Sequence, residues 1–229
     1  MPKLIWKEWH EQGWKLGFGC LVLGAMAVIG LRSRIIADES MIAWVCFLGM
    51  ALLPVLSSSG LVPAERSERS FESLLALPVP RWRILAAKTA MGVVLCAGPM
   101  IVAALASLLV AGGREMTGGE MIALYVRSTA AAVLLFVWML ALTIRLPNET
   151  RAGLLGLGVL IFWIIATLGL AYPSVPSSAM TISPLAFVYG FFNDFVGEPP
   201  LVGVVAAQAA IAAALWCWAA RQMGAEDRS

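Results

Sequence analysis

Few residues in this chain are equipped for bond-making chemistry. His10 is the single histidine, so an imidazole pair for metal ligation or proton relay does not exist. Cys20, Cys46, Cys96 and Cys217 are widely separated and show no C-x-x-C spacing, so the pattern supports neither a zinc site nor a disulfide framework. There is no G-x-S-x-G nucleophile elbow and no G-x-x-x-x-G-K-[ST] phosphate loop. The apolar runs contain no paired carboxylates. The expectation is a chain without catalytic residues, metal site or cofactor of its own, with the four thiols serving as small buried groups.

Charge is the remaining source of chemistry. Between two apolar runs, Glu65 to Lys88 reads ERSERSFESLLALPVPRWRILAAK. Projected as a helix, Ser67, Phe71, Leu74 and Leu75 share one face, and Glu65, Glu68, Arg69 and Glu72 the opposite one. Glu65 and Arg69 are spaced i, i+4 and Arg69 and Glu72 i, i+3, so the charged face is partly self-compensating. Pro78 and Pro80 end the helix, because each lacks an N–H and restricts the residue before it. Arg81, Trp82, Arg83 and Lys88 then mark the membrane surface. A helix over 65–77 suits a handle for a cytoplasmic partner; a solvated loop without a partner explains these residues equally well.

The elements that must hold this stretch are apolar. Hydrophobic residues make up 60% and charged residues 13% of the 229, against about 25% charged in a soluble domain, and mean hydropathy is +0.85. A bilayer core takes about 20 apolar residues as helix. Six runs qualify: Leu16–Leu31, Met41–Val62, Ile84–Ala111, Met121–Ile144, Gly153–Tyr172 and Leu201–Ala220. Long period-two alternation is missing, which argues against a barrel. The expected fold is an all-α integral membrane protein with six transmembrane helices in one domain spanning 1–229.

Residues 1–15 read as an amphipathic interfacial helix. Ile5, Trp6, Trp9, Gly13 and Leu16 fall on one side, and Lys7, Glu8, Glu11 and Lys15 on the other. Trp6, Trp9 and Trp14 suit the headgroup layer, where an apolar ring and a polar N–H are both satisfied. This helix either anchors the chain or also links the membrane helices to a partner. Fifteen amphipathic residues before the first run, and Arg32-Ser33-Arg34 after it, indicate a retained helix rather than a cleaved signal.

Lys and Arg resist translocation and so report orientation. With the N-terminus inside, the cytoplasmic segments hold Lys3, Lys7, Lys15, Arg66, Arg69, Arg81, Arg83, Lys88, Arg145, Arg151, Arg221 and Arg228. Only Arg32, Arg34 and Arg114 lie outside. Both termini are therefore expected in the cytoplasm, in the inner membrane if the source is bacterial. Arg127, within the fourth run, either snorkels to the outer interface or lines a cavity. The formal net charge of +2 is too small to suggest nucleic acid. Pro54 and the Gly98-Pro99 pair are expected to kink their helices.

Residues 173–200 contain no Lys or Arg but carry the aromatic cluster Phe187, Tyr189, Phe191, Phe192 and Phe195. So apolar a connection is expected to dip into the outer leaflet as short external helices forming a re-entrant loop, its backbone covered or self-paired.

Glu65, Arg66, Glu72, Leu74, Leu75, Leu77, Pro78, Val79, Arg81 and Lys88 together resemble the motif of ABC type-2 transporter permeases. That motif is a helix ending in Glu-x-Leu-Leu-x-Leu-Pro-Val, then a basic residue, then a lysine opening the third span. The order of an amphipathic start, six spans and a large loop between spans five and six is similar throughout. The family often has Gly-Thr before the glutamate, where this chain has Ser70-Phe71.

The resemblance implies a permease subunit, working as a homodimer or with a close homologue, most simply as an exporter of a hydrophobic or amphipathic substrate. Haem-export-type permeases are similar in length and span number. It implies an ABC ATPase partner that carries ATP and magnesium. It also implies a coupling helix at 65–77 in which Glu65, Arg66, Glu68, Arg69, Phe71, Glu72, Leu74 and Leu75 meet that ATPase. The aromatic cluster at 187–195 would form an external gate, or a lid without gating. A membrane scaffold or sensor using the same charged helix is the alternative; an intramembrane enzyme is disfavoured by the missing constellations.

Overall fold

The computed structural model describes residues 2–33, 37–63, 65, 79–111, 116–170, 177–186, 188 and 201–225. Six long helices appear among them: α1 (Pro2–Ser33), α2 (Asp38–Leu61), α3 (Arg81–Ala111), α4 (Gly118–Thr143), α5 (Glu149–Leu170) and α6 (Leu201–Ala225). Each contains a stretch long and apolar enough to cross a membrane, and no strand occurs among the described residues. Helices are the required form here, because each backbone N–H and C=O in hydrocarbon must be satisfied within its own segment.

Local chemistry sets several helix ends. Thr117 and Glu120 form a reciprocal capping box at the start of α4, satisfying two otherwise orphaned donors. Asn148 Oδ1 accepts from the Arg151 amide at 2.9 Å and starts α5, the role its side chain favours over a helix interior. Pro63 follows the end of α2; it has no N–H with which to continue the ladder.

α1 lies along α3, α2 packs on α4, and α5 and α6 flank this centre against α2 and α4 respectively. The core is where α2, α3 and α4 meet, at Val45, Cys46, Met100, Leu135, Phe136 and Met139. Outward-facing residues of α5, such as Leu154, Ile161, Phe162, Ile165 and Leu168, are apolar and exposed. This suits a helix whose solvent is lipid, since apolar surface facing hydrocarbon carries no penalty.

Several sequence expectations change. The interfacial helix and the first span are one unbroken 32-residue helix, about 48 Å long at 1.5 Å per residue. Part of its polar side points inward, while Glu11 stays exposed. Glu8 and Gln12 are buried while Trp6, Trp9 and Trp14 are exposed. Cys46 and Cys96 are buried, but Cys217 is exposed on α6. Pro54 and Pro99, where kinks are expected, lie inside α2 and α3, which continue beyond them; that expectation is not altered. Gly19 of α1 faces Pro99, where an added Cβ would come within 2.9 Å of the ring, so a small residue lets the two helices touch.

Between α5 and α6 there is a short 3-10 helix, Ser177–Ile182. Gln208 of α6 donates to the Thr181 and Ile182 carbonyls, each at 2.8 Å. Thr167 of α5 meets Ser183 at 2.6 Å. The two Gln208 bonds give partners to backbone carbonyls, as irregular backbone away from water requires. Phe187, Tyr189, Phe191, Phe192 and Phe195 lie outside the described residues.

Candidate functional site: a buried ionic joint

Three elements converge at one end of the bundle: the first turns of α1, the end of α2 and the first turns of α3. Lys88 lies seven residues into α3, about 10 Å along its axis, and is fully buried. An ammonium there is costly unless each N–H is met. Three oxygens meet it. Lys88 Nζ donates to Glu8 Oε1 and to the Leu61 carbonyl, both at 2.8 Å, and pairs with Glu65 Oε2 at 2.6 Å.

The other carboxylate oxygen of Glu65 accepts from Lys7 Nζ at 2.8 Å. Lys7 also pairs with Glu11 at 3.3 Å, one turn along α1. Gln12 Nε2 donates to the Gly60 carbonyl at 2.9 Å. The last carbonyls of a helix lack intrahelical donors and carry the negative end of its dipole. At the end of α2 a side chain from α1 and an ammonium from α3 therefore supply those donors.

The cluster is a joint between helices rather than a metal site. Carboxylate oxygens of Glu8, Glu11 and Glu65 lie within 4.8 Å of one another, close enough to suggest a cation site. Lys7 and Lys88 already stand on those carboxylates, two ammoniums against three carboxylates, so the buried pair Glu8 and Glu65 is matched by the protein's own cations and the remaining negative charge falls to the exposed Glu11.

One sequence expectation is corrected here. The helical projection places Glu65 on an exposed charged face; it is buried and paired with Lys88 and Lys7. Lys88, expected to mark the membrane surface, is enclosed between α1, α2 and α3. The reason is the same for both: a charge is tolerated away from water where an opposite charge is buried with it. The partners, Glu8 and Lys88, are 80 residues apart in sequence. The available signal was the depth of Lys88 inside an apolar run, which calls for a counter-charge. Arg81 and Arg83 do sit at the start of α3, with the Arg83 guanidinium 5.3 Å from the exposed Trp82 ring. Arg66, Glu68, Arg69, Phe71, Glu72, Leu74 and Leu75 lie outside the described residues.

A second ionic contact ties α1 to α5, with Lys15 Nζ 3.8 Å from Glu149 Oε1. Glu149 is half exposed, so this pair contributes little.

With the six helices and this joint in place, comparison with known families adds the decisive observation. The family model described as "ABC-2 family transporter protein" matches residues 16–169, about two thirds of the chain. The chain belongs to the ABC-2 transporter family. No curated protein matches it. As an ABC-2 protein it is a multi-pass integral membrane protein and the permease component of an ABC transporter, a class that is not itself catalytic and that works with an ATPase. The match takes in Glu65 and Lys88 but begins after Lys7, Glu8 and Gln12.

Proposed function

We propose that this ABC-2 permease is one of two identical subunits that form a substrate pathway, driven by two copies of a separate ATPase, and that it exports a hydrophobic or amphipathic substrate. The family match over residues 16–169 carries this reading. The lack of a phosphate loop supports the placing of ATP and magnesium on another polypeptide. One six-span chain supplies half of such a pathway, and closed two-fold symmetry is the simplest way to complete it.

The ionic joint belongs to the cytoplasmic end in this scheme. Lys7, Arg81, Arg83 and Lys88 lie at that end, as retention of positive charge inside predicts. Both termini are then cytoplasmic. Reporter fusions at Ser40, Gly118 and Ser177 will read outside, and fusions at Ser67, Asn148 and Ser229 inside. An outside signal at Ser67 would overturn the orientation and the coupling role together.

Residues 65–77 form the coupling element. Glu65 supports this role because its carboxylate ties the beginning of the segment to α1 and α3. Reversing Glu68 and Glu72 to lysine will leave membrane insertion intact and release or uncouple the ATPase. Exposed charges on an unpartnered loop are worth under about 1 kcal/mol, so the same change there would do little. The measurement is co-purification of the ATPase with native mass spectrometry of the complex. Two permeases with two ATPases are expected for the wild type, and loss of the ATPase, or of transport-linked hydrolysis, for the double variant. Normal binding and normal coupling in the variant would remove these two acids from the interface, and a single permease per complex would overturn the dimer.

A further inference from the structure

The first turns of α1 are attached to the bundle in an unusual way. Among residues 6–15 only Glu8 and Gln12 are fully buried, and both are polar. Trp6, Trp9 and Trp14 face outward. Apolar packing of α1 on the core begins further along, with the partly buried Leu16 and then Leu23, Ala27 and Leu31. Residues 6–15 therefore form an arm of about 15 Å held by polar contacts rather than by a packed apolar face. Besides the half-exposed Lys15–Glu149 contact, those contacts are three: Lys7 to Glu65, Glu8 to Lys88 and Gln12 to the Gly60 carbonyl. Two of the three lead to the pair formed by Glu65 and Lys88, at the root of the segment proposed to meet the ATPase.

We infer that Lys7 and Glu8 are positioning residues for energy coupling: they make the arm of α1 follow Glu65, so that α1 moves as one body with the coupling segment when the ATPase closes. The inference rests on the reading of 65–77 as that segment. The chemistry favours it. Glu65 is doubly engaged, one carboxylate oxygen on α1 through Lys7 and the other on α3 through Lys88. In a site screened from water such pairs resist separation more than surface pairs do. Displacing Glu65 without α1 would leave buried charges unmet, whereas displacing both together keeps each ion pair closed.

The discriminating variant is Lys7→Gln with Glu8→Leu. It removes both ionic links from α1 to Glu65 and Lys88, yet leaves the Glu65–Lys88 pair closed, Gln12 on Gly60 and Lys15 beside Glu149, so the arm stays seated. The complex with its ATPase, in lipid nanodiscs, is labelled for pulsed electron-spin distance measurement. Cys20 and Cys217 are first replaced by serine, leaving the buried Cys46 and Cys96 unlabelled. One label pair is His10→Cys with Gly119→Cys, and the other is Arg83→Cys with Gly119→Cys. His10 and Arg83 are exposed, and Gly119 has open space around an added Cβ.

Both distances are expected to change between the nucleotide-free complex and the complex trapped with ATP and vanadate. In K7Q/E8L the 83–119 change persists and the 10–119 change is lost. The charge-conserving pair Lys7→Arg with Glu8→Asp restores it. Should K7Q/E8L fail to assemble, Glu8→Gln, which keeps the side chain's shape, is expected to reduce the 10–119 change alone. A wild-type arm that stays still while the 83–119 distance changes would overturn the inference and leave the coupling segment standing. So would an arm that moves as far in K7Q/E8L as in the wild type. If neither distance responds with the ATPase bound, the coupling role of 65–77 itself fails, and the inference with it.

Discussion

Replacing Lys88 by methionine will destabilise the folded protein by about 3–5 kcal/mol, the usual consequence of removing one partner from a buried ion pair. The side chain is of similar length, so packing is nearly kept, and the loss is electrostatic. Glu8 and Glu65 would face each other inside the bundle with no ammonium between them, and the Leu61 carbonyl would lose its donor. For a chain of this size that is a fall in unfolding midpoint on the order of 10 °C, read by thermal unfolding in lipid nanodiscs. The informative comparison is Glu8→Leu, Glu65→Leu and Lys88→Met together. Exchanging a buried ionic group for apolar side chains of similar volume is often neutral or stabilising. The triple variant should therefore recover most of the loss, short of about 1–3 kcal/mol for the unsatisfied Leu61 carbonyl. Lys7 keeps Glu11 as a partner in this variant. A triple variant as unstable as Lys88→Met would show that shape, not unmet charge, is what Lys88 supplies. An unchanged midpoint for Lys88→Met would mean that the cluster is hydrated rather than buried.

The second large effect is steric. Gly92→Ala will destabilise the protein, although alanine in place of glycine inside a helix is ordinarily favourable by about 0.5–1 kcal/mol. A Cβ at Gly92 would overlap the ring of Phe136 across the α3–α4 contact. Phe136 is fully buried, so its ring has nowhere to withdraw to and the helices must separate. Overpacking of this kind costs about 1–3 kcal/mol, which exceeds the propensity gain and reverses the sign. Gly17→Ala on α1 is the control, because nothing lies within 4 Å of a Cβ there; it should be neutral or slightly stabilising. Gly92→Ala with Phe136→Leu should be more stable than the sum of the two single changes predicts, since the residues touch and their effects are not additive. A Gly92→Ala variant with a raised midpoint would place the ring elsewhere.

Both effects depend on contacts between distant parts of the chain, and they mark the boundary of what could be read beforehand. The six spans were legible because a bilayer imposes length and apolarity locally: any run of about 20 residues must meet the condition on its own. The family was legible for a related reason. Glu72, Leu74, Leu75, Pro78, Arg81 and Lys88 lie close enough in sequence for their spacing to carry the resemblance, and the match over residues 16–169 bears it out. The lack of a nucleotide-binding loop was equally a matter of adjacent residues.

Tertiary structure decided which way the polar residues point. The helical projection separates Trp6 and Trp9 from Lys7, Glu8 and Glu11, but amphipathicity has no sign in a membrane. At a water interface the polar face turns outward, whereas against lipid it can turn inward to partners within the bundle. Lys88 on α3 and Glu65 beyond α2 supply those partners, so α1 continues unbroken from the proposed cytoplasmic end into its span with Glu8 inside. No window of sequence contains both Glu8 and Lys88. Their pairing follows only once α1 lies along α3, because a buried charge is tolerated where the fold, not the local sequence, brings its counter-charge within reach.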